Sequence, residues 1–163
     1  MSVARVVAGG FVLTACALVQ TRPALAVGEV ATARMKFADG KDAGSISLMA
    51  ATGGVLMKCD LSGLAPGAHA VHVHESGACE SDFTGAGSIY NPLGAKHGFL
   101  HEEGPMAGDL PNIHAGADGK ATGEFLSNYL TLNKEAEDTL FDADGSSIVI
   151  FQKPADYVTD PDG

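Results

Sequence analysis

Residues 33–62 read ARMKFADGKDAGSISLMAATGGVLMKCDLS, and the period of this stretch decides the fold. Ala33, Met35 and Phe37 alternate with Arg34, Lys36 and Ala38. Ile46 and Leu48 alternate with Ser45 and Ser47, and Val55, Met57, Cys59 and Leu61 with Lys58, Asp60 and Ser62. Successive side chains of a strand point to opposite faces, so each run has one apolar and one polar face. Asp39-Gly40 and Gly53-Gly54 separate the runs. Such pairs let a chain reverse tightly between antiparallel strands. The stretch therefore predicts strands joined by hairpin turns. It also puts Cys59 on the apolar face beside Met57 and Leu61, as a small and inert core thiol.

Further strand-like pieces follow at 69–74, 109–115, 120–127 and 146–152. No long stretch has a helical period. Several short strands at regular spacing indicate an all-β sandwich or barrel. The chain has 163 residues, without a tandem repeat or low-complexity linker, which fits one folded domain. One segment breaks the rhythm. From Glu75 to Gly108 no run alternates, and Gly77, Gly85, Gly87, Gly94, Gly98 and Gly104 are joined by Pro92 and Pro105. A loop this long in a compact domain is either functional or disordered. It opens directly after His72 and His74 and carries His97 and His101. A metal is one candidate for tying it down.

Residues 1–26 read as an export signal, and 27–163 as the exported domain. Arg5 gives a positive start, Val6 to Val19 is apolar, and Ala24-Leu25-Ala26 supplies a small-x-small cleavage pattern. The apolar run is shorter than the roughly 20 residues a membrane span needs. Leu13-Thr14-Ala15-Cys16 offers a second reading, a lipoprotein-like box that would leave a lipid anchor on Cys16. It ranks below the cut after Ala26, because the apolar run continues past Cys16. Removing residues 1–26 takes away Arg5 and Arg22 and no acidic residue, so the net charge moves from −10 to −12. Such a surface repels nucleic acid and anionic membranes. The exported part keeps Cys59 and Cys79 where disulfides can form, and spacing alone does not say whether they pair. Cys79 lies in a polar, glycine-rich stretch and is expected to be the more accessible.

In Ala70-Val71-His72-Val73-His74 the two histidines share one strand face and the valines the other. Imidazoles about 7 Å apart along a strand can converge on one metal ion, and imidazole suits zinc, copper, iron and nickel. The competing reading is two surface histidines on a half-exposed strand. His69 has the opposite parity, so a structural hydrogen bond near the strand start is expected; His114 is also read as structural. His97 and His101 are four apart, a helical spacing that Gly98 and Gly104 argue against.

These residues resemble a known family. Gly67-Ala68-His69-Ala70-Val71-His72-Val73-His74-Glu75 is similar to the copper-binding strand of copper/zinc superoxide dismutases. Asn91-Pro92-Leu93-Gly94-Ala95-Lys96-His97-Gly98 resembles the middle of that family's zinc loop, and Gly108-Asp109-Leu110-Pro111-Asn112-Ile113 its close, in the bacterial exported form. Phe141-Asp142-Ala143-Asp144-Gly145 and Lys153-Pro154-Ala155-Asp156-Tyr157 also fit. The resemblance implies a Greek-key β-barrel or sandwich, a periplasmic location, copper and zinc as cofactors, and dismutation of superoxide to oxygen and hydrogen peroxide.

The match implies His72 and His74 as copper ligands, and His97 and Asp109 as zinc ligands. Asp156 matches the aspartate that links the two metal sites in the family. Three ligand positions depart from the pattern. Ile89 stands where the bridging histidine is expected, Met106 at a zinc histidine and Phe151 at the last copper histidine. The family also continues into a final strand with an active-site arginine and a disulfide cysteine, whereas this chain stops at Gly163. By that comparison Cys79 lacks its usual partner, and the barrel lacks its last strand. Isoleucine and phenylalanine cannot ligate a metal, so Ile89 and Phe151 are expected to pack together where the metal would be. Met106 could soften the site toward Cu(I). The first expectation is a dismutase-like protein with weak or absent turnover and residual copper binding, zinc being held more weakly. The second is an active superoxide dismutase. The third is a module whose open strand edges pair with a second copy or a protein partner.

Overall fold

The apolar half of each alternating run is the half that water does not reach. Met35, Ile46, Leu48, Val55 and Met57 are all 0% exposed. Burial is worth about 1.5–3 kcal/mol for each side chain of this size, and a slip of one residue would turn the whole set to solvent. The register of the strands follows from that cost.

The computed structural model describes residues 28, 30–79 and 83–160, with the backbone of two short strands ahead of them. In chain order the strands are β1 (Val6–Gly9), β2 (Val12–Ala15), β3 (Val30–Lys36), β4 (Asp42–Ala51) and β5 (Gly54–Leu61). Then follow β6 (Gly67–His74), β7 (Asp109–Ala115), β8 (Ala121–Ser127) and β9 (Ser147–Ile150). Among the described residues there is no α-helix, only a 3-10 turn at Thr84–Ala86. The all-β expectation holds, and the predicted strands all form with boundaries shifted by a few residues.

The first sheet has the order β3-β4-β5-β8 and the second β7-β6-β9, all pairs antiparallel. The chain crosses from the first sheet to the second after β5 and back after β7, as a Greek key requires. Val71 and Val73 of β6, Leu110 and Ile113 of β7, and Ile148 and Ile150 of β9 join the buried face of the first sheet in one hydrophobic core. Cys59 lies in that core as a free thiol, and burial pushes its pKa up to about 12. The hairpin β1–β2 falls within the apolar run read as an export signal, with β2 lying beside β9 and β1 beside β3. Cys16 and the Ala24-Leu25-Ala26 cleavage pattern lie outside the described residues.

The 75–108 segment contains no strand among its described residues, only an isolated bridge between His74 and Ile89. Backbone bonds fasten it to β6. Tyr90 N–H donates to Val73 O at 2.8 Å, Val73 N–H to Gly108 O at 2.9 Å and Gly108 N–H to Tyr90 O at 2.7 Å. Gly108 permits this approach, because a Cβ there would stand 2.3 Å from Val73 O and 2.9 Å from Ile89 Cγ2. Cys79, at the near end of the loop, is disulfide-bonded; Cys59 is not its partner.

Candidate metal centre

Strand register brings the first two candidate ligands together. His72 on the central strand β6 is paired with Asp109 on β7 and with Val149 on β9. Directly opposite residues of an antiparallel pair share a face, with Cβ atoms about 4.5–5.5 Å apart. Both side chains are buried, His72 at 1% and Asp109 at 3% exposure. The loop then delivers His97, also at 1% exposure, whose Nδ1 lies 2.6 Å from Asp109 Oδ1. Asp109 Oδ2 accepts from Gly98 N–H at 2.8 Å and Met106 N–H at 3.0 Å. The carboxylate is thus fixed by two backbone amides, with its other oxygen turned to His97. Candidate ligand atoms of His72, His97 and Asp109 all lie within 4.8 Å of one another.

His74 stands apart from this group. Its ring centroid is 6.4 Å from that of His72, and its Nδ1 donates to Gly87 O at 2.9 Å. That bond leaves Nε2 as the donor atom for a ligand, and Nε2 is buried without a hydrogen-bond partner. The Phe151 ring packs against both imidazoles, at 5.3 Å from His72 and 6.1 Å from His74 between centroids. Ile89 and Met106 line the same cavity, about 1160 Å³ in volume, with His72, His74, His97 and Phe151. Burial lowers the pKa of His72 to about 3, helped by His97 and His74 close by. Burial also lowers that of His74, against the Gly87 carbonyl and Glu75, which favour the cation. Both imidazoles are therefore neutral near pH 7, the state a metal requires.

His69 has the structural place that its parity predicted. Its Nδ1 reaches Phe151 O at 2.8 Å and its Nε2 reaches Ala65 O at 2.7 Å. It thereby fixes the backbone that presents the Phe151 ring. His114 is exposed on the outer face of β7, and His101 Nδ1 accepts from Glu103 N–H at 3.1 Å, outside the cluster.

The expectation for Asp156 needs correction. Its side chain is exposed, and Oδ1 accepts from Val158 N–H and Thr159 N–H at 2.8 Å each, while Oδ2 accepts from the Thr159 hydroxyl. These bonds close its own turn and do not link His72 to His97. Buried Ala155 precedes it, pinned to Asn112 by paired bonds of 2.9 and 3.0 Å. The aspartate that does hold the loop is Asp160, which sequence reasoning missed. Its Oδ1 accepts from His97 N–H at 3.1 Å and its Oδ2 pairs with Lys96 at 2.9 Å. No period or spacing flags it, because residues 151–160 form no strand.

Two antiparallel sheets with a buried cluster of histidine and aspartate define a β-sandwich protein with a candidate metal site. Residues 42–163 match the copper/zinc superoxide dismutase (SODC) family, and the chain belongs to that family. The superoxide dismutase [Cu-Zn] of Caulobacter vibrioides is 46% identical over 136 residues, which are 82% of this chain and 78% of that protein. The superoxide dismutase-like protein YojM of Bacillus subtilis is 41% identical over 102 residues, 61% of this chain and 52% of that one. The crystal structure of a SOD-like protein from Bacillus subtilis superposes with a TM-score of 0.74 at 34% identity, covering 82% of this chain and 89% of the other.

Neutral, buried imidazoles and a carboxylate suit zinc or copper. The resemblance divides them between two sites. Copper would keep His72 and His74 with a phenyl ring beside them, and zinc would keep His97 and Asp109.

Proposed function

We propose that the chain is an exported, metal-binding member of the family with weak or absent superoxide dismutation. The observation that supports this reading best is Phe151, whose ring packs against both imidazoles where the resemblance implies the last copper histidine. Copper held through His72 and His74 would supply the one-electron redox change of the family reaction. The surroundings of the cavity do not favour an anionic substrate. Its charged lining residues are Glu75, Glu137 and Asp142 against Lys153. A cleft lined by the opposite sign is what raises the encounter rate with a charged substrate. Zinc, held by His97 and Asp109 alone, falls short of the four protein ligands of a structural zinc site. Residues 1–26 direct the domain to the periplasm in this reading.

A second reading, an active dismutase, draws on the 46% identity to a relative that bears that name. The assay that separates them is superoxide dismutation by the chain loaded with copper and zinc and dialysed free of loose metal. The proposal expects a rate at or only slightly above that of the buffer. A rate approaching the diffusional ceiling, about 10⁸–10⁹ M⁻¹s⁻¹, sinks it.

A further inference from the structure

We infer that the chain holds one divalent cation of the zinc class in a composite site, His72–His97–Asp109, taking one ligand from the copper strand and two from the zinc loop. The inference rests on the metal-binding reading above and specifies its site. In the two-site scheme implied by resemblance His72 and His74 serve one metal, and His97 and Asp109 serve another. The geometry divides these residues differently.

Cross-strand pairing puts His72 and Asp109 opposite each other on β6 and β7. The ligand atoms of His72, His97 and Asp109 fall within 4.8 Å of one another, which makes the three side chains candidate ligands of one ion. All three are buried, so any ion they hold is shielded from water on the protein side. Each zinc-loop partner is already oriented from behind. Gly98 and Met106 amides hold Asp109, and Asp160 holds the His97 backbone. Outer partners of this kind typically govern metal affinity by about 10–100-fold.

His74 is outside the group. It lies 6.4 Å from His72 between ring centroids, tied to Gly87 O, with Phe151 stacked on it at 6.1 Å. Two imidazoles and one carboxylate match a zinc set of three protein ligands with a fourth position left for solvent. The cavity that His72 and His97 line gives that fourth ligand room. With His72 committed to this cation, His74 remains as a single donor, and a second metal has no site comparable to the first.

The test uses the full chain stripped of metal. Zinc is titrated calorimetrically, cobalt(II) serves as a spectroscopic probe of coordination, and X-ray absorption counts imidazoles in the zinc-loaded protein. The expected result is one equivalent of zinc, tetrahedral cobalt bands and two imidazoles. His72→Ala and Asp109→Asn should each weaken zinc binding by about 100-fold or more, while His74→Ala should change it less than about twofold. Two equivalents of zinc, a single imidazole, no uptake, or a loss in His74→Ala equal to that in His72→Ala would each overturn the composite site. If His72→Ala does not fold, the imidazole count of the unaltered chain and the His74→Ala titration still decide. Dismutation measured on the copper- and zinc-loaded chain is read separately. Turnover near the diffusional ceiling defeats the functional reading whatever the ligand count, and a wrong ligand count defeats only this inference.

Discussion

The two halves of the site are held by different forces. Around His97 and Asp109 the hold is polar. The carboxylate takes Nδ1 of His97 at 2.6 Å and two backbone amides at 2.8 and 3.0 Å, all away from water. Around His72 and His74 the hold is a strand and an aromatic ring, with Phe151 stacked on His74 and tilted against His72. The difference shows two ways in which a loop and a strand can be held together. One half satisfies its ligands with hydrogen bonds, and the other covers them with an apolar side chain. The first arrangement is easily broken and the second easily reopened.

The largest effect should come from the polar half. Asp109→Ala removes the acceptor for Gly98 N–H and Met106 N–H and leaves His97 buried without its carboxylate. Each buried donor left without its acceptor costs about 1–3 kcal/mol. Urea unfolding of the metal-free protein should show that loss. A midpoint unchanged from the parent would mean that the half is held by packing after all, and the contrast would collapse.

Acid should next attack the half covered by Phe151. The pKa of His72 is lowered to about 3 from an ordinary 6.5, chiefly by burial. Its folded form binds fewer protons than the unfolded chain between those two values. Stability is therefore fully present above pH 6.5 and falls as the pH drops toward 3. At pH 5 the loss from this residue alone should reach about 2 kcal/mol relative to pH 8, at 1.36 kcal/mol per pKa unit. His74 is shifted the same way and adds to it. Unfolding of the metal-free protein from pH 8 to 5 measures the slope, and His72→Asn should flatten it. A flat profile in the parent would show that the imidazoles are wetter than their burial implies.

Phe151→His reopens the same half without disturbing the other. The new imidazole would take the place of the ring packed against His72 and His74, and His69 would still fix its backbone carbonyl at 2.8 Å. Copper affinity should rise by about tenfold or more, since even outer partners of a metal ligand are worth that much. Zinc affinity should change little. Calorimetric titration with each metal reads both. A rise for zinc equal to that for copper would mean that the two halves are not separate.

The first sheet was legible because its physics is local. Met35, Ile46, Leu48, Val55 and Met57 announce their buried face by alternation alone, and all are at 0% exposure. The same parity rule placed Val71 and Val73 in the core and gave His69 a structural bond on the other side of the strand from His72. The pairing of His72 with Asp109 was not legible from period, because it depends on where β7 returns after the long loop. Resemblance supplied the names of both residues but assigned them to different metals. In the last segment even resemblance misplaced a role. Residues 151–160 have no strand period, so nothing in the pattern distinguishes Asp156, Asp160 and buried Ala155.

That segment also supplies the smallest expected effect. Resemblance assigns Asp156 the task of linking the two metal sites, and its carboxyl is held well below the usual range, at a pKa of about 2. The cause argues against the task. The first contributions come from the Thr159 hydroxyl and the Thr159 and Val158 amides of its own turn, and His97 contributes least among those named. A low carboxylate pKa here reports a capped turn on the surface. An outer partner of the metal site would cost about 10–100-fold in affinity when removed. Asp156→Ala should leave zinc affinity unchanged, whereas Asp160→Ala should weaken it by about tenfold, because His97 loses its backbone anchor. Parallel zinc titrations of the two variants decide the matter. If Asp156→Ala is the weaker binder, the turn carries the link that resemblance assigned to it, and Asp160 is only the surface partner of Lys96.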